Sequence, residues 1–114
     1  VTLLEETTWT GVCPETRLTA DRGVAALVGG RQAAVFKLAT GELFALDNRC
    51  PFSGANVLSR GIVGDKGGVP FVASPVYKQR FELASGRCID DPAITVTVHE
   101  VRIVDGVVEL RLNP

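Results

Sequence analysis

A chain of 114 residues has room for one hydrophobic core, because a second would need more sequence than is present. Its hydrophobic share of 46% and charged share of 22% suit a folded globular domain and exclude a disordered one. Twelve Lys or Arg against thirteen acids leave a net charge of −1, so there is no basic excess to meet a nucleic-acid backbone.

Along the chain, turn signals recur at short intervals: Gly29-Gly30, Thr40-Gly41, Lys66-Gly67-Gly68, Ser85-Gly86 and Asp105-Gly106. Each supplies the positive φ of a tight hairpin, and Asp-Gly between apolar alternations is a strong hairpin signal. Between them, residues 24–28, 33–38, 43–46, 69–73, 94–104 and 107–112 are rich in Val, Leu, Ile and Phe, at lengths that suit strands. In the last run Val108, Leu110 and Leu112 alternate with Glu109 and Arg111, the period of a half-buried strand. The alternation of Val96, Val98, Val101 and Ile103 slips once around His99 and Glu100, which predicts a bulge or two short strands there. With no repeat, low-complexity tract or linker, the expectation is an all-β antiparallel meander forming one domain over 1–114.

Cys13, Cys50 and Cys88 are odd in number and far apart, so free thiols are expected rather than disulfides. With His99 they add up to one conceivable zinc set, but no Cys-x-x-Cys pair supports it, and burial of small apolar thiols explains them as well. No apolar run is long enough to cross a bilayer, and residues 1–9 have neither the basic start nor the apolar stretch of a secretory signal; a cytoplasmic protein with no membrane partner is expected. Gly61, Gly64, Gly67 and Gly68 do not have the spacing of a phosphate-binding loop, and a hairpin over 61–73 explains them.

Two irregular stretches remain, 48–62 and 74–80, and a hairpin between them would bring them side by side. They carry Cys50-Pro51-Phe52-Ser53-Gly54-Ala55 and Ser74-Pro75-Val76-Tyr77-Lys78-Gln79-Arg80-Phe81-Glu82-Leu83. This frame resembles the Rieske family, which has Cys-Pro-His with a Gly-containing loop, then Cys-Pro-x-His-Gly, then an aromatic-acid-Leu strand ending in a Gly turn. The resemblance implies a Rieske-like antiparallel β-sandwich with a small inserted hairpin subdomain.

In a Rieske centre two thiolates hold one iron and two imidazoles the other. The resemblance places those ligand positions at Cys50, Phe52, Ser74 and Tyr77. Phe52 has no donor atom, a serine hydroxyl is a far poorer ligand than a thiolate, and a phenol does not replace a neutral imidazole. No bound 2Fe-2S cluster is therefore expected, and the rings of Phe52 and Tyr77 are expected to pack where imidazoles stand in the family, unless both lie on an exposed loop tip.

Residues 50–65, with Ser74-Pro75, Lys78-Gln79, residues 88–92 and Trp9, are similar to the small subunit of assimilatory NAD(P)H-dependent nitrite reductase. That family implies a large catalytic subunit carrying FAD, a 4Fe-4S cluster and sirohaem, which reduces nitrite to ammonium, and a small subunit with no catalytic residues of its own. Candidate partner-binding residues are Arg49, Asn56, Arg60, Lys78, Gln79 and Arg80, because Arg binds carboxylates bidentately across interfaces; loop cations that are merely solvated are the plain alternative. Two other functions remain open: an electron carrier holding a cluster through Cys50 and oxygen ligands, and an accessory domain of another oxidoreductase.

Overall fold

The computed structural model describes residues 9–114. Nine strands are found among them: β1 Thr10–Pro14, β2 Arg22–Val28, β3 Arg31–Lys37, β4 Leu43–Asp47, β5 Ile62–Lys66, β6 Val69–Ala73, β7 Arg80–Glu82, β8 Val98–Val104 and β9 Val107–Arg111. They form a six-stranded sheet, β1-β9-β8-β4-β3-β2, and a three-stranded sheet, β5-β6-β7, with every strand pair antiparallel. The all-β architecture with a small inserted hairpin unit is the one the sequence predicts.

Three of the predicted Gly turns close two-residue hairpins. At Gly29-Gly30, Gly67-Gly68 and Asp105-Gly106 both central residues have positive φ, as a type I′ turn demands. The twist of that turn matches the strands it joins, so register is fixed locally.

The larger sheet curls until it is a nearly closed barrel, and at β3 and β4 both of its faces are buried. Ala33, Val35, Ala45, Val108 and Leu110 point into the barrel, together with Val101 and Ile103. On the outer face, Ala34, Phe36 and Leu46 meet Val72, Phe81 and Leu83 from the small sheet and its turn. Strict alternation along β3 and β4 thus serves two cores at once, which explains why β3 reads as a continuous apolar run. Close approach of the two units is made at Gly23, where a Cβ would lie 2.3 Å from the carbonyl oxygen of Ser59 in the short 3-10 turn Leu58–Arg60.

Two strand expectations need correction. The run 94–104 is a strand only from Val98, and from there His99, Val101 and Ile103 turn inward in regular alternation. The slip lies earlier, because Thr95 bridges Arg87 and the Val96 N–H donates to the Gly86 carbonyl, so residues 94–96 follow a different neighbour, and Thr97 rejoins β4 by accepting from the Asp47 N–H. The irregularity of register falls instead in β1, between Gly11 and Cys13. β1 itself escaped prediction: its partner β9 lies at the far end of the chain, and its five residues include Gly11 and Pro14.

Candidate functional site

The loops 48–62 and 74–80 meet above the outer core. Loop one hangs from Asn48, whose side chain is 1% exposed yet fully engaged. Its Nδ2 donates to Gln32 Oε1 (3.1 Å) and to the Asn56 carbonyl (3.2 Å), while its Oδ1 accepts from the Ser59 N–H at 2.7 Å. A buried amide satisfied on both sides fixes the chain far better than a solvated one. Within the loop, the Cys50 N–H donates to the Ala55 carbonyl (2.8 Å) and the Gly54 N–H to the Cys50 carbonyl (2.7 Å), a closure that needs Gly54 at φ 75°.

Cys50 and Ser74, the two positions where the Rieske frame has thiolates, are brought together. Both are fully buried, and the Ser74 side chain lies beside the Cys50 thiol. Burial pushes that thiol up, but hydrogen bonds from Ser74, from the Ser53 backbone and hydroxyl, and from the Phe52 N–H outweigh it and hold it below its ordinary value. Ser53, which the sequence did not single out, is therefore part of the cradle.

The two imidazole positions part company. Phe52 packs inward on the outer core, its ring centroid 6.1 Å from that of Phe81 in a tilted pair. Tyr77 does not fill the gap as expected: it is 60% exposed, next to exposed Val76. In the turn that follows, Lys78 stands at φ 64° where the Cys-Pro-x-His-Gly frame has its glycine, and the Lys78 N–H donates to the Ser74 carbonyl (2.9 Å). The closure seals the loop through its backbone and leaves both preceding side chains outside.

Of the predicted partner-binding residues, Arg49, Asn56, Arg60 and Lys78 are exposed. Gln79 is half-buried, and its Oε1 is shielded from solvent with no hydrogen-bond partner among the described residues. Arg80 is committed within the chain. Its Nε and Nη2 grip Asp90 at 3.2 and 2.7 Å, its own N–H donates to the same carboxylate at 2.8 Å, and its guanidinium lies over the Phe71 ring. The hydrogen bonds from Arg80 hold the Asp90 carboxyl below the usual carboxylate range. Asp90 follows Arg80 by ten residues, and only the folded hairpin shows that they meet.

His99 is remote from these loops. Its ring is buried on β8, where Nδ1 accepts from the Asn113 N–H (3.0 Å) and Nε2 therefore carries the proton donated to Asp47 (2.7 Å). Arg31 closes the ring of contacts by bonding both Asp47 and the Asn113 carbonyl. The role is structural.

The pattern of the Rieske-like [2Fe-2S] domain matches residues 8–111. The nitrite reductase (NADH) small subunit of Salmonella typhimurium is 41% identical over 104 residues, covering 90% of this chain and 96% of that protein. The chain belongs to the nitrite reductase small-subunit family. The solution structure of the Escherichia coli protein NirD superposes with a TM-score of 0.85 at 39% identity, covering 94% of this chain and 98% of that one. A third relative is built differently: the nitrite reductase [NAD(P)H] large subunit of Klebsiella oxytoca is 42% identical to 86% of this chain within only 10% of its own length.

These residues do not fit a two-iron centre. One buried thiol, a buried hydroxyl beside it, a donor-free ring turned into the core and a solvent-exposed phenol cannot satisfy two irons. No group of three or more His, Cys, Asp or Glu able to hold a metal is found among the described residues.

Proposed function

We propose that this chain is the non-catalytic small subunit of a cytoplasmic NAD(P)H-dependent nitrite reductase. It would assemble with a large subunit that carries FAD, a 4Fe-4S cluster and sirohaem and reduces nitrite to ammonium. The observation that carries this reading is the Klebsiella relative, in which an equivalent domain is part of the large-subunit chain itself. Covalent linkage keeps two domains at high effective concentration, and a separate chain must achieve the same by docking.

The docking face we infer is the tip of the two loops. Exposed Val76 and Tyr77 give the second loop an apolar tip, Lys78 and Gln79 follow them, and Arg49, Asn56 and Arg60 are exposed on the first loop. Arg80 supports this face from within through Asp90 instead of reaching the partner.

Reconstitution of NADH-dependent nitrite reduction by the large subunit, with and without this chain, tests the reading. Turnover should fall without it at unchanged cofactor content, and Tyr77→Ala with Lys78→Glu should weaken assembly at least tenfold. Equal turnover and equal assembly would overturn it. The chain purified without oxygen should be colourless and free of iron; a stoichiometric two-iron spectrum would restore the electron-carrier alternative.

A further inference from the structure

The small sheet leaves one edge open. β5 pairs with β6 through a two-residue turn, so Lys66 and Val69 exchange hydrogen bonds and the pattern alternates from there. Ile62, Gly64 and Lys66 bond inward to β6, whereas the N–H and C=O groups of Val63 and Asp65 point away from it. Pro70, which has no N–H to give, sits opposite Asp65, and its carbonyl accepts from the Leu83 N–H on the other side, as that alternation requires. None of the four outward groups finds a backbone partner among the described residues.

The opposite edge is closed. On β7 the Arg80 carbonyl accepts from the Ile89 N–H (2.7 Å) and the Glu82 N–H donates to the Arg87 carbonyl (2.9 Å).

Two connected hollows, of about 500 and 300 Å³, run along the open edge and share Asp21 and Val63. At the first end, Arg22 and Arg60 enter no ion pair among the described residues and stand beside Ile62, which is 75% exposed. In the second hollow Leu38, Val63 and Pro70 make an apolar floor, and Glu42 and Asp65 make an acidic rim. The trough is thus basic at one end and acidic at the other.

We propose that this trough receives an extended segment of the large subunit as a fourth strand beside β5. The inference rests on the reading above and adds a second contact to the tip. Backbone groups of Val63 and Asp65 would supply the pairing, as in strand addition generally, and alternate side chains would enter the apolar floor. Charge complementarity sets the segment: about five residues, apolar in the middle, acidic where it meets Arg22 and Arg60, basic where it meets Glu42 and Asp65. Self-pairing of two β5 strands about Gly64 is the less suitable occupant, because it brings the two Asp65 carboxylates near each other diagonally.

Amide exchange of the full chain, alone and with the large subunit, tests the proposal. Exchange at Val63 and Asp65 should slow at least tenfold on complex formation, and Arg22→Glu, a residue outside the tip, should weaken binding at least tenfold. Val63→Pro, which deletes an outward N–H and no ladder bond, should do the same with the Trp9 fluorescence unchanged. If the chain binds but these amides stay unprotected and the variants bind like wild type, the trough proposal falls and the tip reading stands. If the chain alone dimerises with the same two amides protected, a second copy is the occupant and the proposal is overturned. If no binding is seen at all, both readings fall.

Discussion

The two loops that carry the Rieske frame start alike and end differently. In each, the thiolate position is buried, at Cys50 and at Ser74, and the two lie side by side. In each, the imidazole position holds an aromatic ring, yet Phe52 turns into the core and Tyr77 out to solvent. The difference follows from what anchors each loop. Asn48 pulls the first down onto β3 and the 3-10 turn, while the second is closed by bonds among its own residues, from Ser74 to Val76, Lys78 and Gln79. The same ligand frame, left with a single thiol donor, has become a structural plug on one side and an outward-facing tip on the other.

Asn48→Ala should break the comparison most severely. It strands the Ser59 N–H and leaves Gln32 and the Asn56 carbonyl short of a donor, so unfolding in denaturant should show a loss of about 3 kcal/mol. A smaller effect sharpens it: Phe52→Ala should cost about 2 kcal/mol in the same measurement, below the cost of a wholly buried ring, whereas Tyr77→Ala should cost less than about 0.5 kcal/mol. Equal losses at the two positions would mean that both rings carry core contacts.

The smallest expected effect concerns pH. Because the Asp90 carboxyl is held below its ordinary value of 3.8, its contribution to stability is complete above that value and is lost as pH falls through the depressed one. Thermal midpoints of wild type and Asp90→Asn should therefore converge as acid is added; a constant gap would show that the Arg80 clasp does not depend on ionisation.

Local features of the fold were legible in the sequence. Type I′ turns at Gly29-Gly30, Gly67-Gly68 and Asp105-Gly106 announce themselves because the backbone conformation they need excludes most residues. The face pattern of β9 was equally plain, with Val108 and Leu110 buried and Glu109 and Arg111 paired to Arg102 and Glu100. What stayed hidden was decided across distance. β1 needs β9, Arg80 needs Asp90, and the break before Val98 arises from a neighbour near Gly86. Nor could the motif alone tell which of two rings would be swallowed, since both follow a proline in a loop and only the anchoring of each loop distinguishes them.

Gly23 has a bearing on engineering. Since the nearest atom there is the Ser59 carbonyl oxygen, and the only side chain in reach is the fully buried Phe36 ring, little can shrink or rotate when something bulkier arrives. A scheme that transplants metal-competent loops from a ferredoxin onto this barrel would have to keep that residue, or first lengthen the segment around Ser59. Without either step the grafted part would be levered off its seat before any iron could be offered to it.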